Sequence, residues 1–560
     1  MGIPSYFSYI IKNHSNIIRT LTYHQSVVKT IGGLYMDCNS IIYDSVRTIE
    51  KTISYTNTPE FEQMIIDNVI ARIRDYICRI SPSTVAYVAF DGVAPFAKME
   101  QQRQRRYKGA YMSMLQFDDP TKPFVRTSVD TTRWDTSAIT PGTPFMENLS
   151  RQVDAQLSGT RIRNCTVIVS TSNEPGEGEH KMFDYIRDNV SSDENIVVYG
   201  LDSDLIMLSI NHIHLCKNIY ITREIPEFGN LVPKNIKSSA GELLVLDIRG
   251  LCNSIVDEMG YTDKSEKSGR ISDYVFLCFL LGNDFLPHIM GVNLRRNGMD
   301  KLLHLYMAHI GRYPERSLTA QNPPEIRWKW VNVLFSEIAK LEEQWAIEEY
   351  EYRNVQEAKL RANPFRSKPL NTLTGKDYEE VFQQAPKIYR ADERYICPSE
   401  EGWETRYYVR MEGMKKEGEV KKMCEKYRYM LEWVFDYYNK RVLKKRESYE
   451  YTVSPLMKDI IKMTIFRRDE VQGFTESSGR SKSAIFGRDA NSDELRSPEF
   501  PRTPSATRSP QIEMMWYTKE EQLNYIMPKK DNDSLEKIRN SPMNWAYKNY
   551  LWESHIRIEK

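Results

Sequence analysis

Acidic residues recur directly behind short apolar runs. Asp37 follows 33–36 (GLYM), Asp91 follows 85–90 (VAYVAF), Glu174, Glu177 and Glu179 follow 166–169 (TVIV), and Asp202 and Asp204 follow 196–199 (IVVY). Asp284 adds one more acid in LLGNDFLPH. If the runs are parallel strands, these acids gather along one sheet edge, the edge where open α/β folds bind ligands. Carboxylates packed together repel and raise one another's pKa, so the arrangement calls for a strong cation among them. Oxygen donors with few His or Cys suit Mg2+ or Mn2+. Two such ions about 3.5 to 4 Å apart activate a water and stabilise the leaving oxygen in phosphodiester hydrolysis. The plainer alternative is that each acid ends its strand as a turn or N-cap residue. That accounts readily for a single Asp, and poorly for four strand ends plus Asp284.

A basic helical pattern, APFAKMEQQRQRRYKG, leaves directly from the Asp91 strand end. Lys98, Gln102, Arg105 and Arg106 fall at i, i+4, i+7 and i+8 and so share a face. From Lys98 to Lys108 there are five cations against one acid, Glu100. Guanidinium forks and an amide grip a terminal phosphate well. A solvated charged face or a localisation signal is the bland reading. The position beside the acids favours a phosphate pocket.

The elements that must hold these residues follow from the pattern of the chain. Up to about residue 310, short β-branched runs alternate with helical stretches, a weaker run lying at 243–246 (LLVL). This predicts an α/β domain on a largely parallel central sheet flanked by helices. Residues 109–140 read as a loop-rich insertion. From about 325 to 445 the pattern is helical and highly charged, clearest in WKWVNVLFSEIAKLEEQW and YRYMLEWVFDYYNKRVLKK. Residues 469–510 lose all periodicity to Ser, Arg, Pro, Thr and Asp, after which aromatic content returns. The predicted organisation is a catalytic domain at 1–320, a mainly helical second region at 321–468, a flexible polar insertion at 469–510, and a segment at 511–560 returning to the second region.

Composition sets the outer bounds. In 560 residues the hydrophobic fraction is 41% and the aromatic fraction 11%, enough to fill a large core and to exclude disorder as the main state. Lys plus Arg number 77 against 76 Asp plus Glu, so an anionic partner is held by a local patch and not by a global field. The eight cysteines lie at least 26 residues apart, which argues against a zinc knuckle or disulfide framework. No run reaches the ~18 apolar residues of a membrane span. The start, MGIPSYFSYIIKNHS, lacks signal-peptide features, and Tyr6 replaces the Ser or Thr expected after a myristoylated Gly2. The expectation is a soluble, reduced, intracellular protein.

Taken in order, MGIPSYF, LYMDCNSIIY, FDGVAPFAKMEQQRQRRY, ITPGTPFM, PGEGEHKMFDYI, YGLDSDLIML and LLGNDFLPH resemble the 5′-to-3′ exoribonucleases of the XRN family. EGWETRYY, LEWVFDYY, EEQLNYIMP and SPM extend the resemblance through the second conserved region. It implies a PIN-like nuclease fold, a need for Mg2+ or Mn2+ (two ions), and degradation of single-stranded RNA bearing a 5′ monophosphate to mononucleotides, in RNA or mRNA decay. By motif, Asp37, Asp91, Glu177, Glu179, Asp202, Asp204 and Asp284 would be the catalytic, metal-binding acids. Lys98, Gln102, Arg105 and Arg106 would form the 5′-phosphate pocket, which excludes a cap or triphosphate by size.

The chain departs from the family pattern in places. Tyr43 stands where His is usual and offers a ring to stack on the terminal base. Phe96 stands where Arg is common, and Ser137 where Asn precedes ITPGT. The Trp-rich motif is reduced to SYEYTVSPL, so Tyr449 or Tyr451 would take over stacking, against a simple packing role for each. These changes bear on translocation and processivity more than on hydrolysis. The chain ends near the end of the second conserved region, which suits a compact member from a virus or a reduced genome. The expected location is the cytoplasm, the host's for a viral chain, with the nucleus left open, and the expected state is a monomer without membrane contact. The competing readings are a flap-endonuclease-like DNA 5′ nuclease and a catalytically silent RNA-binding scaffold on the same fold. The first lacks its Gly-rich hairpin element after Gly291, and the second typically loses acids that are all present here. His212, His214, Trp403 and Trp433 are read as packing residues.

Overall fold

All five apolar runs form strands of one eight-stranded sheet, in a computed structural model that describes residues 3, 5–28, 30–52, 58–114, 134–200, 202–224, 242–260, 267–362, 387, 390–440, 444–463 and 516–527. The strands are β1 (Ile18–Thr20), β2 (Gly33–Asp37), β3 (Val85–Ala89), β4 (Arg161–Ile162), β5 (Cys165–Ser170), β6 (Asn195–Tyr199), β7 (Asn218–Glu224) and β8 (Leu243–Asp247). Their order is β1-β8-β7-β6-β2-β3-β5-β4. The five central strands β7-β6-β2-β3-β5 are mutually parallel, and the outer pairs are antiparallel.

Side chains alternate along each central strand, and both faces are covered, which is why these strands read as unbroken apolar runs. Leu34, Met36, Ala86, Val88, Val197 and Tyr199 face one core. It is closed by α2 (Leu21–Val27), α3 (Asn39–Thr52), α4 (Thr58–Ile80) and α6 (Pro144–Leu157). Tyr35, Tyr87, Ile196, Val198 and Ile221 face the other. There lie α1 (Tyr6–Asn13), α7 (Gly178–Asn189), α8 (Asp204–His212), α9 (Ile248–Glu258) and α10 (Lys267–Phe279). The basic pattern is α5 (Phe96–Met114), so the stretch read as loop from 109 is helical to Met114, and 115–133 lie outside the described residues.

The second core runs on without a break into α11 (Gly298–Tyr306), α12 (Trp328–Arg361), α13 (Ala391–Ile396), α14 (Trp403–Glu412) and α15 (Glu417–Asn439). The insertion read at 469–510 lies outside the described residues. Of the segment read at 511–560, residues 516–527 are described and contain α16 (Lys519–Ile526), which packs on α5.

Chain order from β2 runs outward through β3 to β5, then crosses to β6 and β7 on the other side. The crossover makes a switch point between β2 and β6, and the C-terminal ends there are level: Asp37 pairs with Ala89, Ala89 with Ser170, and Met36 with Tyr199.

Candidate active centre

Each predicted acid reaches this edge by its own local route. Asp37 is the last residue of β2, and Asp91 comes two residues after β3. Asn39 fixes Asp91 from both sides: its Nδ2 donates to Asp91 Oδ2, and its Oδ1 accepts from the Asp91 backbone N–H at 3.1 Å. The backbone N–H of Gly178, first residue of α7, donates to Asp91 Oδ1 at 2.7 Å. A side chain at 178 would crowd the acids, since a Cβ there would lie 3.0 Å from Asp37 Oδ1 and 3.4 Å from Asp91 Oδ1. Gly176 has φ +109°, a turn open to glycine, and brings the chain back so that Glu177 caps α7 and Glu179 lies in its first turn. Glu174 stands apart, accepting from Ser170 Oγ.

Asp204 opens α8, with Asp202 two residues before it. Asp284 sits in a turn held by Asn283, whose Oδ1 accepts from the N–H groups of Phe285 and Leu286 at 2.9 Å each. Lys98 Nζ lies between two acids, 2.8 Å from Glu177 Oε1 and 2.8 Å from Asp284 Oδ2. The seven acids therefore form one centre, with Lys98 inside it.

The electrostatics are those of crowded carboxylates, of which Glu177, Glu179, Asp204 and Asp284 are buried, Asp37 and Asp91 half-buried and Asp202 exposed. Burial, with Glu177 beside it, pushes Asp91 up to about 6. Burial, with Asp284 and Asp202 beside it, does the same for Asp204, to about 6. Asp37 is held well above the carboxylate range by burial, Asp91 and Asp202, and Glu179 by burial and Asp204. Burial works against the Lys98 charge, but Asp284 and Glu177 more than offset it and keep the ammonium well above the usual lysine range. A divalent cation would relieve this repulsion, and the donor set fits one. Ligand atoms of Glu177, Glu179 and His180 lie within 4.8 Å of one another. Burial holds the His180 imidazole neutral, the form that ligates metals.

The basic face of α5 divides its labour. Lys98 is turned into the acids. Gln102 Oε1 is buried without a hydrogen-bond partner among the described residues. Arg105 is exposed, and Arg106 is anchored on the ITPGT loop, its guanidinium donating to the carbonyls of Ser137 (3.5 Å) and Ile139 (3.3 Å) and to Thr140 Oγ1. Tyr43 on α3 is 38% exposed and within electrostatic reach of Arg105, Arg106 and Asp91. Phe96 stacks on Tyr517 and leans on Tyr525.

Tyr449 and Tyr451 are not brought to the acids. Tyr449 is a core residue, its hydroxyl donating to the Val453 carbonyl at 2.8 Å and its ring edge-on to Tyr427. Tyr451 packs on Tyr449 with ring centroids 5.3 Å apart. His212 is likewise a packing residue, Nδ1 against the Leu208 carbonyl at 2.7 Å and Nε2 against Arg187. The stretch from Ile213 to Leu215 is a tight helical turn directly after α8.

Sequence reasoning missed five residues at this centre. Asn39 and His180 lie inside quoted motifs, LYMDCNS and PGEGEHK, but were passed over for the acids. Lys181 donates its buried Nζ to the Phe90 and Thr171 carbonyls at 2.9 and 2.7 Å, tying together the ends of β3 and β5. Tyr437 and Tyr438, on α15, donate their hydroxyls to Glu177 Oε2 and to Asp204 Oδ1 (2.8 Å for the latter). Those two end the quoted LEWVFDYY, but nothing local links them to the acids, because their partners lie 260 and 234 residues away.

Fold and centre together define a PIN-like nuclease class: a mostly parallel sheet between helices, with a buried acid cluster at the C-terminal strand edge and a helical region packed over it. The chain belongs to the XRN 5′-3′ exonuclease family. Residues 1–225 match the family's "XRN 5'-3' exonuclease N-terminus" and residues 265–380 its "Xrn1 helical domain". Relatives include "5'-3' exoribonuclease 2" of Arabidopsis thaliana, 29% identical with 55% of this chain and 36% of the relative covered. "5'-3' exoribonuclease 1" of Schizosaccharomyces pombe is 28% identical over 55% of this chain and 24% of its own length. The Saccharomyces cerevisiae protein of that name is 29% identical over 55% and 20%. The match thus spans between a fifth and about a third of these relatives. The catalytic core of Rad2 with DNA overlays at 13% identity and TM-score 0.30, covering 73% of this chain and 86% of that one, a likeness too loose to argue from.

Proposed function

We propose that this chain is a divalent-metal-dependent 5′-to-3′ exoribonuclease that removes mononucleotides from single-stranded RNA carrying a 5′ monophosphate, in RNA decay. The observation that carries this reading is the convergence of seven carboxylates on one sheet edge with the basic face of α5 rising directly from it. Asp37, Asp91, Glu177, Glu179, Asp202, Asp204 and Asp284 would hold Mg2+ or Mn2+ as hard, charged oxygen donors, with His180 beside them. When bound, such ions supply positive charge at the attacked phosphate and at the leaving oxygen. Gln102, Arg105 and Arg106 would grip the terminal phosphate, and Tyr43 would lie under its base. Lys98 sits at the junction, reaching the acids from the pocket's own helix. Holding the 5′ end fixes which phosphodiester faces the acids, so cleavage proceeds one nucleotide at a time.

The test is a degradation time course in Mg2+ on one 3′-labelled RNA with a 5′ monophosphate, triphosphate or hydroxyl, alongside Asp204→Ala and a DNA version. Loss of the monophosphate RNA alone, abolished by the substitution, is the expected result. Equal cleavage of all three, or cutting confined to DNA flaps, would overturn it in favour of an endonuclease.

A further inference from the structure

Two adjacent tyrosines of the helical region, the last residues of LEWVFDYY, reach into the acid centre. Tyr437 and Tyr438 are 5% and 2% exposed. Successive residues on a helix point about 100° apart, so their hydroxyls diverge. One donates to Glu177, the cap of α7, and the other to Asp204, the first residue of α8. Both rings are clamped. Tyr437 stacks on Trp433 (5.0 Å, 12°), meets Phe285 edge-on at 5.0 Å and lies 3.8 Å from the His180 ring. Tyr438 packs on Phe279 at 5.1 Å. Trp433 is itself tied down, its Nε1 donating to the Lys444 carbonyl at 2.8 Å. Burial and the neighbouring carboxylates hold both hydroxyls protonated, hence as donors.

We propose that Tyr437 and Tyr438 are positioning residues that set the orientation and separation of Glu177 and Asp204 for a divalent cation. With Lys98 on its other oxygen, Glu177 joins α5, α7 and α15 at one carboxylate. Each tyrosine fixes one carboxylate rotamer, as outer partners do around metal ligands. The effect on turnover rests on the nuclease reading, whereas the effect on cation uptake does not.

The experiment titrates Mn2+ into the metal-stripped full chain by calorimetry, for the wild type, Tyr437→Phe, Tyr438→Phe and Tyr407→Phe. Tyr407 is the control, a buried tyrosine of the same region whose hydroxyl goes to the Ser454 carbonyl. Tyr437→Phe and Tyr438→Phe are each expected to weaken Mn2+ binding by about 10- to 100-fold, with the KM for monophosphate RNA moving by less than about twofold. Tyr407→Phe should lower the thermal midpoint and leave Mn2+ binding alone. Mn2+ affinities of Tyr437→Phe and Tyr438→Phe equal to wild type, or a wild type that takes up no Mn2+, overturn the proposal. Because either tyrosine variant suffices, misfolding of one leaves the other to decide. A wild type that binds Mn2+ but spares the RNA would remove the nuclease reading while the calorimetry still judges the tyrosines.

Discussion

Asp91 and Asp204 are aspartates held near pKa 6, above the ordinary value of 3.8, by burial and acidic neighbours. The sign of the consequence follows from proton linkage. Their folded pKa is raised, so the stability they allow is fully present below about pH 4 and is lost as pH rises through 6. Two units correspond to at most about 2–3 kcal/mol per group. A metal-stripped sample should therefore melt lower at pH 7 than at pH 5, and Mn2+ should restore the midpoint at pH 7 far more than at pH 5. A melting temperature independent of pH in EDTA would contradict this. Gly178 makes a second residue-scale prediction. Gly178→Ala puts a methyl 3.0 Å from Asp37 Oδ1 while gaining helix propensity, so turnover should fall at least about tenfold with stability changed by no more than about 1 kcal/mol. Rates and thermal midpoints on one preparation would check both halves. The acids were legible because each belongs to a local motif, whereas Gly178 was not singled out, since its closeness to Asp37 appears only once α7 is folded against β2. His180 was not, because an imidazole beside two glutamates reads as one more polar residue until the turn at Gly176 folds it inward.

At the scale of elements, α5 is shared between two partners. One face looks to the acids, and another is covered by α16. There Gln522 Oε1 accepts from the Ala94 N–H at 2.9 Å, Ile526 is fully buried against Ala94 and Met99, and the Arg103 guanidinium lies 5.3 Å over the Tyr525 ring. Undocking α16 should loosen α5 without touching the acids. Ile526→Ala is expected to cost about 2–5 kcal/mol and to raise the KM for monophosphate RNA several-fold while kcat stays within about twofold. A fall in kcat at constant KM would mean that α16 supports the acids instead. The elements themselves were unevenly legible. Five strands stood out as continuous apolar runs because helices cover both faces. β7 did not, because Asn218, Thr222, Arg223 and Glu224 break its run: Asn218 Nδ2 donates to Asp247 at 2.9 Å and Arg223 Nε to the Gly200 carbonyl at 2.8 Å. The partners of these two groups lie 29 and 23 residues away, so their burial could not be read locally.

For the molecule as a whole, the boundary drawn at 320 from the change of hydrophobic pattern divides a core that the structure leaves continuous. Phe279 and Phe285 of the first part meet Tyr438, Trp433 and Tyr437 of the second. The Tyr427 hydroxyl donates to the Pro287 carbonyl at 3.1 Å, and the Phe96 N–H, at the start of α5, donates to the Lys445 carbonyl at 2.8 Å. A fragment of residues 1–320 would therefore lose more than an accessory. It would bare the aromatic floor below Asp284, leave Glu177 and Asp204 without their tyrosine donors, and strip α16 from α5. The exposed apolar face favours a loosely packed state that binds ANS and melts without a cooperative transition. RNA turnover by this fragment should fall by at least about a thousandfold, equivalent to roughly 4 kcal/mol on the barrier. Adding residues 321–560 in trans should restore activity only if the two pieces rebuild the shared core, so recovered turnover must coincide with recovered thermal cooperativity. A sharp melt and full turnover from 1–320 alone would show instead that the acids are held by the sheet without help from α15, and that the helical region serves something other than the centre.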